Sequence, residues 1–332
     1  MRNEKVLSIK NNSKITYTAR EIANNYLHRG SAIREKIEST LHLFKDGYGI
    51  KSLKNLTQEH IDKVILSLQD KTQNGMSLSN ANSYISSLNN IIRYINNDGL
   101  SLIRASDYGL SRNISEKDGI NKENSREAAE AYKEWLNQKY AQTRDLGYEA
   151  LKHAVSIQSA NLRLRESLLI KLQNKDLFQN ILKISEKGDG SKNSRAREIK
   201  LNPEQKDSLL EARQFLKDNN LKNLNIGTIK QGRDFANNAL KSFRQETGQS
   251  FHYHGERHYA AHEVYKEAWQ AKGNDIECRA RTRETKQDWQ NRIISETGLN
   301  KAEFTKLDKE IRQEISIDLG HERIEITSRY LG

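Results

Sequence analysis

Near the end of this 332-residue chain, Asp318 to Leu331 read DLGHERIEITSRYL, which puts Tyr330 nine positions after His321 with Thr327 between them. Two shorter runs lie upstream, His254-Gly255-Glu256-Arg257-His258 and Leu162-Arg163-Leu164-Arg165-Glu166. Residues of these types can hold and cut a phosphodiester. The diester's own charge repels nucleophiles, so a site without a metal must supply positive charge at the non-bridging oxygens, a nucleophile, and a proton for the leaving oxygen. Arginine suits the first task, because its planar fork grips two oxygens and keeps its charge; Arg163 and Arg257 are the candidates. Tyr330 is the candidate nucleophile. Its phenol leaves more readily than an alkoxide, so a phosphotyrosyl bond conserves the energy of the bond it replaces and can be reversed. Lys187, or Lys192 on the same turn, could protonate a departing 5′-oxygen, and His254 and His321 could move protons or hold the phosphate.

Each piece alone has a plainer reading. An isolated LRLRE segment is usually a solvated helical face, and Arg165 is read as a mere helix neighbour of Glu166. His258 and His262 stand four apart, a spacing that can put two metal ligands on one helical face. Tyr259, not Glu, follows His258, and no cysteine or carboxylate cluster completes a site. No metal and no cofactor are therefore expected. His258 is read as a buried hydrogen-bonding residue beside Arg257, and His262 as a surface residue. The glycines at 188 and 190 lack the Gly-Lys-Ser/Thr ending of a phosphate loop.

These residues must be positioned by something, and the bulk of the chain says by what. With 35% hydrophobic and 30% charged residues the chain is polar, yet apolar residues recur periodically, so it is read as folded. A single proline, Pro203, favours a mainly helical protein. The length allows two domains. A net charge of +11 favours a polyanionic partner, since Lys and Arg release counterions from phosphate backbones. One cysteine, Cys278, excludes an intrachain disulfide and fits a reducing, cytoplasmic setting. No apolar run approaches a membrane span and the N-terminus lacks a signal-peptide core.

Along the chain, residues 1–30 read as a basic arm or a first helix. Residues 31–115 read as a small helical bundle, with Thr57 capping a helix that carries Ile61, Val64, Ile65 and Leu68, and with Tyr84, Leu88, Ile91, Ile92 and Ile95 striping the next. Residues 111–125 are polar and form the best linker. Residues 125–332 read as a second, mainly helical domain. Two short strands, in 178–184 and 196–201, flank a glycine-containing turn and predict one β-hairpin. Residues 266–317 are highly charged with sparse apolar anchors such as Trp289, Ile293 and Phe304.

In their order, these segments resemble the tyrosine recombinase (phage integrase) family. That family has an arginine in a GLRxSE-like segment, matched by Asn161-Leu162-Arg163-Leu164-Arg165-Glu166. Its hairpin lysine lies in a GKGxKxR-like segment, matched by Lys187-Gly188 with Lys192 and Arg195 following. HxxRH is matched by His254–His258, LGH by Leu319-Gly320-His321, and TxxYL by Thr327 through Leu331. The resemblance spans residues 145–332 by motif; the helices at 31–110 are similar, more weakly, to the family's core-binding domain. It implies a DNA clamp of an α-helical bundle plus a helical catalytic domain with a small antiparallel sheet (α+β, mainly α). It also implies strand transfer through a 3′-phosphotyrosyl link, a homotetramer on double-stranded DNA recombination sites, and the catalytic set Arg163, Lys187, His254, Arg257, His321 and Tyr330. A topoisomerase IB-like activity and a non-catalytic DNA-binding accessory protein of a mobile element are the alternative readings.

The chain departs from the family pattern in three places. Asn161 stands where glycine is usual. The 64 positions from Arg257 to His321 include a charged insertion, residues 266–317. The chain stops two residues after Tyr330, where many relatives continue into a helix that docks on a neighbouring protomer. The insertion is expected either to replace that contact or to pack as a solvated lobe on its own domain.

Overall fold

The computed structural model describes residues 7–25, 31–111, 121–185, 189–190, 196–320 and 324–332, with the side chains of residues 31 and 32 excepted. It divides into two compact units, Met1–Ile114 and Ser115–Gly332.

The first unit is a helical bundle of α1 (Asn12–Asn25), α2 (Ser31–His42), α3 (Gln58–Gln73) and α4 (Leu78–Ile95), with a π-helical turn at Leu43–Gly47 after α2. Its sequence periodicity is its core. Ile61, Val64, Ile65 and Leu68 of α3 and Ile85, Leu88, Ile91 and Ile92 of α4 are buried together with Phe44. Thr40 donates to Ser87 at 3.0 Å inside this core, which joins α2 to α4. Asn96 ends α4 in the left-handed conformation, two residues before the expected Asp98-Gly99 stop. Of the two readings of residues 1–30, an arm or a first helix, residues 12–25 take the helical one: they form α1, and its Ile15, Ala19 and Ile22, at helical spacing, are buried in the bundle.

The second unit holds α5 (Arg126–Thr143), α6 (Leu146–Ser156), α7 (Leu164–Leu169), β1 (Ile181–Ile184), β2 (Arg197–Lys200), α8 (Pro203–Asp218), α9 (Ile229–Thr247), α10 (Tyr253–Gln270), α11 (Arg279–Thr282), α12 (Lys286–Thr297), α13 (Lys301–Asp318) and α14 (Ile324–Leu331). Helix starts follow side-chain capping: Ser125, Asp145, Asn202, Thr228 and Asn300 each accept a first-turn N–H, and Pro203 occupies the first turn of α8 where its missing donor costs nothing. The expected hairpin is present, β1 antiparallel to β2 with Leu182 opposite Ile199. Leu182, Ile184 and Ile199 bury against α6 and α8. A second core stacks Tyr132 on Phe251 at 4.4 Å, with Trp135 and Phe243 around them.

The charged insertion packs on its own unit. Trp289, Ile293, Phe304, Ile311 and Ile315 are buried with Trp269 of α10 and with Tyr330 and Leu331 of α14. Its apolar anchors are thus used inside the unit that carries Tyr330. Among the described residues no helix is long and apolar enough to cross a membrane.

Candidate active site

Three pieces of chain bring the candidate residues together. Arg163 precedes α7, Arg257 lies in the first half of α10, and Tyr330 lies at the end of α14. Asn161 explains one departure from the motif pattern. It sits at φ 58°, the left-handed region glycine occupies most easily and asparagine tolerates best among the others. That turn aims its carbonyl inward, where it accepts from Arg257 and, at 3.4 Å, from Arg197.

Glu166 is the electrostatic centre. Fully buried, it accepts from Arg163 Nη1 at 2.8 Å and from both terminal nitrogens of Arg197 at 3.0 and 2.8 Å, and Arg257 Nη1 lies 3.7 Å away. Burial alone would raise its pKa; Arg197 and Arg163 outweigh that and hold the carboxyl down at about 2. Arg165, the helix neighbour of Glu166 in sequence, is exposed, in keeping with its plain reading. Sequence reasoning missed Arg197 altogether, although the strand alternation places Arg197 on the inward face with Ile199.

Arg257 is completely buried, and burial lowers its pKa to about 10, still far above neutral pH. Its terminal nitrogens donate to the carbonyls of Asn161 and Leu319, while its Nε has no hydrogen-bond partner. Arg163, partly exposed, reaches the same Leu319 carbonyl at 3.4 Å. One oxygen therefore rests on both candidate guanidinium groups. The Leu319-Gly320 turn that supplies it requires its glycine: Gly320 has φ 62°, and a Cβ there would stand 3.1 Å from Arg197 Cδ.

Tyr330 is buried, with its hydroxyl 3.1 Å from His254 Nε2. Its ring stacks on His258 with centroids 4.2 Å apart and planes at 22°. Burial first, then nearby positive charge on Arg257 and Arg163, lowers the His254 pKa to about 4. Burial and the flanking histidines lower that of His258 to about 3. Both rings are neutral at pH 7. His258 is buried as expected, but as an aromatic partner of Tyr330; its Nδ1 makes no hydrogen bond. The surface reading of His262 is corrected: it is fully buried, bound to Glu123 and to the Tyr330 carbonyl. Period alone could have found it, since residues 254, 258 and 262 share one helical face.

The structure brings Arg163, His254, Arg257 and Tyr330 together. Lys187 and its fallback Lys192 lie outside the described residues, as do Arg195 and His321. The described flank of the hairpin turn is anchored by buried Asp189, which accepts from Ser185 N at 2.9 Å and pairs with Lys175. Among the described residues no three metal-capable side chains cluster.

No family model matches the chain, and no curated protein matches it. Solved structures do. The Tn1549 transposon integrase in complex with transposon right end DNA is 14% identical over 97% of this chain and 94% of its own, with a TM-score of 0.54. The XerH site-specific recombinase bound to palindromic difH substrate, in a post-cleavage complex, is 16% identical over 96% of this chain and 80% of its own, with a TM-score of 0.57. The pre-cleavage XerH complex with difH is 14% identical over 96% and 81%, with a TM-score of 0.54. The mainly helical chain with one small antiparallel sheet thus has the fold of the tyrosine recombinases and integrases that its motifs resemble.

Proposed function

We propose that this protein is a site-specific DNA recombinase or integrase that cuts and rejoins strands through a 3′-phosphotyrosyl intermediate. The observation that carries the reading is convergence. Tyr330 Oη lies 3.1 Å from a neutral His254, three residues before Arg257, and Arg257 and Arg163 share the Leu319 carbonyl. The solved structures of this fold include complexes with recombination-site and transposon-end DNA, and the net charge of +11 suits the same partner.

In this mechanism the two arginines receive the non-bridging oxygens of one phosphate, which takes the place of the Leu319 carbonyl. Tyr330 Oη attacks phosphorus while its proton passes to His254 Nε2. The bond from phosphorus to the 5′-oxygen breaks, and that oxygen gains a proton, the role the resemblance gives to Lys187. A 5′-hydroxyl of the partner strand then attacks the phosphotyrosine, expels the phenolate and restores a diester, so bond energy is conserved. Two duplexes cut on both strands need four nucleophiles, hence four protomers on DNA.

Incubation with sheared DNA from the source cell, followed by denaturation and sequencing of protein-linked ends, tests the reading. The unsubstituted protein gives adducts at a recurrent sequence, and Tyr330→Phe gives none while binding as before. Adducts that survive Tyr330→Phe overturn the assignment. Joining of two separate duplexes distinguishes recombination from a topoisomerase-like reaction, which relaxes a supercoiled plasmid of any sequence.

A further inference from the structure

The three histidines of α10 touch three different parts of one tyrosine. His254 meets the hydroxyl, His258 covers the ring face, and His262 Nε2 lies 2.7 Å from the main-chain carbonyl of Tyr330. His262 Nδ1 lies 2.8 Å from Glu123 Oε2. A carbonyl and a carboxylate only accept, so both ring nitrogens must donate, which needs the protonated imidazole. Burial opposes that state; the neighbouring Cys278, Glu123 and Tyr330 carbonyl outweigh it and raise the pKa to about 9. Glu123 is itself fixed. Arg281 donates to it from Nε at 3.1 and 3.0 Å and from Nη2 at 2.9 Å. Beside it, Asn124 is bonded through its amide to both the N–H and the C=O of His252 and to Glu256. Gly255 leaves the space for this crossing, since a Cβ there would lie 2.5 Å from Asn124 Oδ1.

We propose that His262, held by Glu123, is a positioning residue that fixes the backbone of the nucleophile Tyr330. The inference rests on the recombinase reading for what the tyrosine does, but the placement is a property of the chain alone. A path runs from Glu123 through His262 to the peptide that carries the reacting phenol. A rotation of that peptide would swing Oη away from His254, and misplacement of reacting atoms by about 1 Å can cost a hundredfold in rate.

The test compares His262→Leu, which removes the donor, with His262→Gln, whose amide can still donate to the Tyr330 carbonyl. In single turnover on the DNA recovered by adduct sequencing, His262→Leu should slow adduct formation roughly tenfold to a hundredfold with an unchanged half-saturating DNA concentration. His262→Gln should recover most of the rate. With 3-fluorotyrosine at position 330, the fluorine resonance should be single and narrow in the parent and in His262→Gln, and broad or multiple in His262→Leu. Glu123→Ala cuts the same path from its other end and serves if His262→Leu does not fold. Parent-like rate and line shape in His262→Leu, or in Glu123→Ala, overturn the proposal, as does a loss of rate that His262→Gln fails to restore. If the parent forms no adduct, the recombinase reading falls, and the fluorine spectra alone decide whether His262 fixes the tyrosine.

Discussion

The two halves of the site are built on opposite principles. Around Glu166 three arginines converge on one carboxylate, all charged and largely withdrawn from water. Around Tyr330 two of three histidines are kept neutral by burial, and the third is charged only because two acceptors flank it. The arginine half is a permanent concentration of positive charge that one carboxylate makes tolerable. The tyrosine half can exchange a proton without first discharging a buried ion. Under the proposed function, a phosphate needs the first kind of surroundings and a phenol nucleophile the second.

The largest effect expected from breaking that division is on stability. Glu166→Ala leaves Arg197 and Arg257 buried without their counter-charge and should cost about 3–5 kcal/mol, read as a lowered midpoint in chemical denaturation. A cost under about 1 kcal/mol would mean that the arginines are held by their carbonyl contacts alone. Next comes Arg163→Lys, which keeps the charge and loses the fork. Cleavage should fall by about 10² to 10³ while stability stays close to that of the parent, a separation measured by adduct rates beside denaturation curves.

The pH dependence separates the halves directly. The folded-state pKa values of His254 and His258 are depressed, so the unfolded chain binds protons that the folded chain refuses. Stability should therefore decline as pH falls from about 6.5 toward 4, by on the order of 2 kcal/mol per ring. His153, buried with a pKa lowered to about 4, adds to the same slope. The double variant His254→Gln, His258→Gln should flatten most of the slope, leaving the shares of His153 and of His252, whose pKa burial and then Arg244 also lower. Glu166, also depressed, contributes above the usual carboxylate range and loses its contribution only as pH falls toward about 2. His262 has the opposite sign: its contribution is complete below about 6.5 and is lost as pH rises through about 9, a loss that His262→Gln should abolish. The smallest effect lies outside both halves. Lys183 and Glu198 pair at 2.9 Å across the exposed face of the hairpin, and Lys183→Ala should change stability by no more than about 0.5 kcal/mol.

Much of this was legible in the residues. The apolar stripes of α3 and α4, the strands β1 and β2, and the order of Arg163, His254, Arg257 and Tyr330 are local or linear patterns, and local patterns survive in a string of letters. Asn161 could be read only as a substitution for glycine; its left-handed turn gives the reason it is accepted. For residues 1–30 an arm and a first helix both stayed open, because net charge says nothing about the buried face of a helix.

What the sequence determined by itself is what short-range chemistry dictates: helical periods, capping side chains, one hairpin, and the residue types able to act on a phosphate. Tertiary structure alone decided which charges meet. Glu166 binds Arg197 from a strand 31 positions away, rather than the adjacent Arg165. Glu123 reaches His262 across 139 positions, and Leu319 offers its carbonyl to Arg163 and Arg257 together. The physical reason is that a buried charge or donor must be satisfied by whatever the fold brings within about 3 Å, and sequence distance places no limit on that partner.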